Sequence, residues 1–186
     1  PLAVSGGRAF LHTSVPLKHL WRALVGLAAM YGFFYAIAHL PLSNAMVFTY
    51  SSPVFIPLVA WLFLKERITP LMGLAAAVGM TGVVLVAKPD QGMINWLSLV
   101  GIASSLLASM AFVTVRALTA TEPPTRIVFY FCLISTLVSA IPMFWYARPM
   151  TLVETGYLGA AGTLATLSQI SLSKAYSYAP AGKIGP

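Results

Sequence analysis

The sequence predicts an all-α integral membrane protein, a polytopic helical bundle with six visible spans, and three observations predict it. Hydrophobic residues make up 59% of the chain and charged residues only 8%, whereas a soluble domain carries roughly 25% charged residues. The apolar residues lie in continuous blocks of about 20, the length that a helix needs to cross roughly 30 Å of hydrocarbon. Short polar breaks that hold most of the charges separate the blocks.

Each predicted span is bounded by a break with helix-stopping chemistry, because proline lacks an N–H donor and its ring blocks helix continuation. Prolines stand at or beside the breaks, as at Pro41, Pro70 and Pro180. Residues 1–19 are less apolar, which predicts a cytoplasmic loop or a segment lying at the interface. The chain begins with Pro1, so we expect a piece of a longer protein. The six predicted spans are 20–40, 42–64, 71–87, 96–115, 127–147 and 157–179.

The placement of the charges predicts the orientation of the chain, because Lys and Arg accumulate in short cytoplasmic loops. Consecutive spans alternate sides, so nine of the eleven basic residues fall on one side and Lys88 and Arg148 on the other. The first span therefore runs from inside to outside. The net charge of +7 needs no nucleic-acid partner, since no basic stripe on a soluble surface is present. The nine are Arg8, Lys18, Arg22, Lys65, Arg67, Arg116, Arg126, Lys174 and Lys183.

Two segments of the chain resemble each other, which suggests an internal repeat. Residues 36–43 align without gaps on residues 175–182, and each segment ends a long apolar span with a one-proline turn. The offset of 139 residues carries the first span onto the sixth. A repeat of five spans is odd, so the second copy would be inverted, as in carriers that work by alternating access. Only the small-residue and proline positions match well, and chance similarity is the alternative at this point.

A set of short motifs resembles the EamA-type repeat of the drug/metabolite transporter superfamily. Family members often show Gly-Glu-Arg where this chain has Lys65-Glu66-Arg67. The resemblance implies ten helices in two inverted five-helix repeats, of which the six spans are helices three to eight. Residues 20–89 would then complete the first repeat, and residues 90–186 would form part of the second. The motifs are residues 36–45, residues 52–55, residues 64–67, Gly73, Gly79, residues 82–85 and Lys88-Pro89.

The resemblance implies a secondary transporter that moves a small organic metabolite or drug across the inner (plasma) membrane by alternating access, with the lipid bilayer and the small-molecule substrate as its partners. The alternative is a non-transporting membrane assembly or interaction subunit. The oligomeric state stays open, with a homodimer as one option. We expect no cofactor and no enzyme activity, because Cys132 is the sole cysteine and no carboxylate pair or phosphate-binding loop is present. The acidic residues, Glu66, Asp90, Glu122 and Glu154, lie in or beside the predicted breaks.

Polar and aromatic side chains inside the first, second and sixth spans are the candidates for lining a substrate cavity. Buried phenols, amides and hydroxyls need partners in lipid, and a neighbouring helix could supply them as well as a substrate. Lys174 could either extend to the cytoplasmic interface or bind an anionic substrate group. The candidates are Tyr31, Tyr35, Asn44, Thr49, Tyr50, Thr163, Thr166, Gln169, Ser173, Lys174 and Tyr176.

Four prolines and one carboxylate are predicted hinge or turn residues. Pro41 and Pro180 form tight turns between helices, whereas Pro53 and Pro57 lie inside the second span and would kink it. The kink could permit rocking or only serve packing. Glu66 is interpreted as a structural hinge rather than a proton carrier, since it lies at the end of a span. The small residues of 73–82 and 101–109 predict close helix packing.

Overall fold

The computed structural model describes residues 12–67, 69–87 and 96–184, and the regular elements within these ranges are helices. Five of the six predicted spans each coincide with one helix and the second span with two, and the outer ends differ from the prediction by at most five residues. Arg8, Lys88, Pro89 and Asp90, which entered the predictions, lie outside the described residues. The helices are α1 (Pro16–His39), α2 (Leu42–Thr49), α3 (Ser52–Leu64), α4 (Pro70–Ala87), α5 (Trp96–Leu118), α6 (Pro124–Tyr146), α7 (Leu152–Tyr178) and α8 (Ala181–Ile184).

Four stretches within the described ranges are long and apolar enough to cross a membrane: Pro16–His39, Leu42–Leu64, Trp96–Leu118 and Pro124–Tyr146. The apolar stretch Pro70–Leu85 is shorter. Helix α7 has 27 residues but is less apolar, because Gly, Ser, Thr and Gln interrupt its leucines. Large apolar side chains are exposed on the outer faces, with Phe144 at 87% and Leu152 at 90%. Such surfaces suit lipid, and the protein is an integral membrane helical bundle.

The turns at Pro41 and Pro180 have the same construction. In each, the helix ends two residues before the proline, at His39 or Tyr178, and the next helix begins one residue after it. Leu40 and Ala179, which precede the prolines, are extended, as the proline ring requires of its predecessor.

The second predicted span is two helices rather than one kinked helix. Helix α2 ends at Thr49 and α3 begins at Ser52, which places Pro53 in the first turn of α3, where its missing N–H removes no helical hydrogen bond. Pro53 therefore begins a helix, and the prediction that it lies inside one was wrong. Pro57 does lie within α3.

Helix α5 is central and contacts α1, α2, α3, α7 and α8. Small residues allow this approach: a Cβ on Gly32 would lie 3.1 Å from Ser104 Cβ, and one on Gly101 would lie 2.6 Å from the Phe48 ring. The packing prediction for 101–109 is thus confirmed. For 73–82 the packing is partial in the described part of the chain: α4 contacts α2 and α3 and Ala76 is buried, but a Cβ on Gly73, Gly79 or Gly82 would meet no atom within 4 Å there.

Candidate functional site

A cavity of about 330 Å³, called here the central cavity, lies between α1, α5, α6 and α7, beside the break between α2 and α3. Much of its wall is apolar, from Met30 and Phe33 on α1, Phe112 on α5 and Phe131 on α6. The polar part of the wall comes from Arg22 on α1, Thr49 and Ser52 at the α2–α3 break, Ser104 and Ser105 on α5 and Gln169 on α7. The cavity therefore has an apolar body, several hydroxyls and one cation, a composition typical of small-molecule sites.

Arg22 is the charged group of this cavity. Arg22 is only 3% exposed. It lies about two helical turns after Pro16, where α1 begins. Its Nη2 donates to Gln169 Oε1 at 3.0 Å, and its Cζ lies 3.9 Å from the centre of the Phe131 ring. Within the described ranges, Nε and Nη1 are buried without a hydrogen-bond partner.

Gly26 leaves the space that the Arg22 side chain occupies. One helical turn separates the two residues, and a Cβ on Gly26 would lie 2.5 Å from Arg22 Nη1. A larger residue at 26 would therefore displace the guanidinium. The sequence indicates neither this pairing nor the burial, because Arg22 stands among the basic residues near the end of a span.

Hydroxyl groups from α5 contact the backbone at the α2–α3 break. Ser105 Oγ donates to the Phe48 carbonyl and is itself 2.9 Å from Ser51 Oγ. Ser109 Oγ lies 3.0 Å from the carbonyl oxygen of Ser52. Local backbone hydrogen bonds and the hydroxyls of a neighbouring helix together satisfy the break, as irregular backbone in a membrane requires.

Two of the predicted cavity residues, Thr49 and Gln169, line this cavity. Thr49 Oγ1 donates to the Ala45 carbonyl of its own helix at 2.9 Å. Gln169 accepts from Arg22, which gives it a polar partner across two helices.

The other predicted cavity residues lie elsewhere. Tyr31 donates to Ser139 Oγ on α6 at 3.1 Å, and the ring of Tyr35 stacks on His39. Tyr50 lines a separate open groove of about 680 Å³ with Gly79 and Gly82. The remaining predicted residues are distributed over buried and exposed positions: Asn44, Ser173 and Tyr176 are buried, Lys174 is exposed, and Thr163 and Thr166 donate to carbonyls of α7.

Glu66 joins three helix ends at one end of the bundle. Its Oε1 accepts from Arg116 Nε at 3.3 Å, and its Oε2 accepts from the backbone N–H of Ala181, the first residue of α8, at 3.1 Å. Arg116 Nη1 also donates to the Tyr176 carbonyl at 2.7 Å. That carbonyl lacks its usual helical donor because residue 180 is a proline.

A second cluster at the same end of α5 ties the start of the described chain to the α5–α6 connection. Glu122 accepts from Thr13 Oγ1 and from Arg126 Nη1, each at 2.6 Å. Burial acts to raise the pKa of Glu122, but these two hydrogen bonds and the charge of Arg126 outweigh it and hold the pKa below its usual range. Through these hydrogen bonds the Glu122 carboxylate holds the start of α1 beside the end of α5.

The described ranges bring together no group of three or more His, Cys, Asp or Glu side chains that could hold a metal ion.

The apolar helices, the lipid-suited surface and the polar-lined central cavity define a multi-pass membrane protein. Residues 1–88 match the EamA-like transporter family, which confirms the resemblance predicted from the motifs. No solved structure matches the chain.

Three relatives illustrate the similarity. A pseudopaline exporter of Pseudomonas aeruginosa is 37% identical over 175 residues, which cover 92% of this chain and 61% of the relative. A riboflavin transporter of Rhizobium johnstonii is 29% identical over 97% of this chain and 60% of its own length. An S-adenosylmethionine uptake transporter of Rickettsia bellii is 27% identical over the whole of this chain and 64% of its own length. The chain thus spans about three fifths of the curated relatives that it matches.

Proposed function

We propose that the protein containing this chain is a secondary transporter of a small organic molecule, which it moves by alternating access through the cavity beside the α2–α3 break. The observation that carries the proposal is this cavity of about 330 Å³, with walls from α1, α5, α6 and α7 and an interrupted span at its side. Sites of this kind, next to broken helices inside the bundle, are typical of secondary carriers.

The relatives support the same class without fixing a substrate. Those compared above are named as transporters of three different organic molecules, and one is named an exporter while another is named for uptake. We therefore propose transport and leave direction open. We further propose the inner (plasma) membrane as the location, no enzyme activity, and the division into residues 20–89 of a first repeat and 90–186 of a second.

Glu66 is proposed as a structural hinge. Its carboxylate contacts Arg116 and the first N–H of α8, so it could hold the ends of α3, α5 and α8 together during a rocking motion. A negative group at a helix start also interacts favourably with the helix dipole.

The test is flux through the full-length protein in reconstituted vesicles, with a panel of organic metabolites that includes riboflavin and S-adenosylmethionine. Ala108 lines the cavity on α5, and Ala108→Trp would fill it. We expect saturable flux of at least one compound by the wild type and flux at the level of empty vesicles for Ala108→Trp.

The matched control is Ala103→Trp, which places the same side chain on an exposed position of the same helix. It should retain wild-type flux, and both variants should be monodisperse by size-exclusion chromatography. Equal flux in wild type and Ala108→Trp, or a stable protein without flux of any compound, would contradict transport through this cavity. The second of these results would favour the assembly-subunit alternative.

A further inference from the structure

We propose that Arg22 binds the anionic group, a carboxylate or phosphate, of an amphipathic organic molecule that occupies the central cavity. The inference rests on the proposed transport function, since it names the class of substrate that the same cavity takes. It follows from the unsatisfied guanidinium donors, the absence of a facing acid among residues 12–67, 69–87 and 96–184, and the apolar wall.

The guanidinium is incompletely satisfied by the protein. Of its nitrogen atoms, Nη2 has the Gln169 partner, whereas Nε and Nη1 have no hydrogen-bond partner in residues 12–67, 69–87 and 96–184. Arginine presents its donors as a planar fork that matches the two oxygens of a carboxylate or phosphate. The unpaired Nε and Nη1 lie on different edges of the planar guanidinium, so each can donate to an anionic oxygen, and Nη1 can form a bidentate contact together with the second proton of Nη2.

None of the acidic side chains that the structure describes pairs with Arg22. Glu66 pairs with Arg116, Glu122 pairs with Arg126 and Thr13, and Glu154 closes a capping box with Thr151 at the far end of α7. A buried cation without a counter-ion is costly in a low-dielectric interior. An anionic ligand would remove that cost, which a neutral ligand could not do to the same extent.

The surroundings of Arg22 favour an organic anion over an inorganic one. Met30, Phe33 and Phe112 give the cavity an apolar body large enough for a small organic molecule, and the cation lies at its side. Phe131 contacts the guanidinium through its ring and would keep the fork fixed in plane. The hydrogen bond from Nη2 to Gln169 would further fix the orientation of the guanidinium.

A purely structural role for Arg22 makes different predictions. If the guanidinium served only to tie α1 to α7 through Gln169, its removal would lower stability and would not affect ligand response. If it is kept for a ligand, its removal together with its partner should leave stability unchanged or raised, because a half-satisfied buried charge is removed.

The experiment measures thermal unfolding of the full-length protein in detergent with two probes of the same shape, benzoate and its neutral counterpart benzamide, and with phenyl phosphate. We expect benzoate or phenyl phosphate to raise the unfolding temperature of the wild type and benzamide to leave it unchanged. The variant Arg22→Met/Gln169→Leu should unfold at or above the wild-type temperature without ligand. Its affinity for the anionic probe should be weaker by about 10- to 100-fold, the loss expected for charge-assisted hydrogen bonds.

Arg22→Lys is a second variant, which keeps the charge and loses the fork. It should bind the anionic probe with intermediate affinity. A parallel measurement compares nanodiscs of phosphatidylglycerol and phosphatidylcholine, because a lipid phosphate could also reach a cation near the cytoplasmic end of α1.

Three results would overturn the proposal: no stabilisation of the wild type by either anion, equal response of the wild type and the double variant, or protection by phosphatidylglycerol alone. Failure of the anion site and failure of transport are distinguishable. Saturable flux of neutral compounds without anion binding would leave transport standing, and anion binding without flux would leave the site standing.

Discussion

Lys65 holds the backbone in the left-handed region at the end of α3, with φ 57° and ψ 25°. Among the non-glycine residues that the structure describes, Lys65 alone has a positive φ. The turn is needed because the N–H groups of Lys65 and Glu66 donate back to carbonyls of α3 and so place the Glu66 carboxylate toward α5 and α8. For a residue with a Cβ this conformation costs roughly 1–2 kcal/mol, and glycine adopts it freely.

Replacing Lys65 with glycine should therefore stabilise the protein. We expect the free energy of unfolding of Lys65→Gly to rise by about 1 kcal/mol, measured by denaturant titration of the full-length protein in detergent. Lys65→Ala is the control, because it removes the same charge but retains the Cβ, and it should bring no comparable gain. Equal stabilities of the glycine and alanine variants would show that the left-handed conformation is not strained.

Single residues differ in how well the sequence predicts them. The turns at Pro41 and Pro180 follow from proline chemistry alone, which needs no knowledge of neighbours. The burial of Arg22 depends on a glycine one turn away and on side chains of α6 and α7, more than 100 residues along the chain. A signal was available, since a charge inside a predicted span is a functional candidate by default. This signal is hard to recognise because Arg22 lies only two residues inside the predicted span and so resembles the charges of the preceding loop.

The α2–α3 break is the helix-level feature that depends most on its neighbours. The carbonyls of Phe48 and Ser52 accept from serine hydroxyls of α5, and Ser51 completes the group. Removal of the Ser105 hydroxyl takes the interhelical donor from the Phe48 carbonyl, which keeps the N–H and the hydroxyl of Ser51 as local donors. Interhelical hydrogen bonds in membranes contribute about 0.6 kcal/mol on average and up to about 1.7 kcal/mol.

Ser105→Ala should lower the free energy of unfolding by about 1 kcal/mol and, if the break acts in rocking, should also change the rate of flux. The measurement pairs denaturant titration with flux in vesicles. Ser168→Ala, at an exposed position of α7, is the control and should alter neither quantity. A loss of stability without a change in flux would mean that the break serves only packing.

At the level of elements, span positions could be predicted because membrane thickness fixes helix length and proline fixes helix ends. The division of residues 42–64 into two helices could not, because Pro53 alone is compatible with a kink or with a new helix start. Serines of α5 about 50 residues later contact the break in the structure. The small residues of α4 were predicted as a packing face from composition, which does not say which of them meets a neighbour: Ala76 is buried, whereas Gly79 faces open space in the described part of the chain.

At the scale of the whole molecule, the alternation of the helices brings the ends of α3, α5 and α7 together at one end of the bundle. Glu66 at the end of α3 contacts Arg116 near the end of α5, and Arg116 contacts the Tyr176 carbonyl near the end of α7. The start of α8 joins them through the Ala181 N–H. The turn at Pro180 therefore lies at the same end of the bundle as Glu66. Helix α1 begins at this end, beside Glu122, and runs to the opposite end, where the turn at Pro41 follows it.

This arrangement predicts that two turns of the same local construction lie on opposite sides of the membrane, as an inverted repeat requires. Single cysteines at Leu42, Arg67 and Lys183, in full-length protein from which Cys132 and any other native cysteines have been removed, can be labelled with an impermeant maleimide. We expect Arg67→Cys and Lys183→Cys to react from the cytoplasmic side and Leu42→Cys from the outer side. The reason is that nine of the eleven basic residues, or eight without the buried Arg22, are assigned to one face, and Lys and Arg accumulate on the cytoplasmic side. Arg148→Cys is the control for the outer side. Reaction of Leu42→Cys and Lys183→Cys from the same side would remove the inversion, and with it the physical basis for alternating access between two related halves.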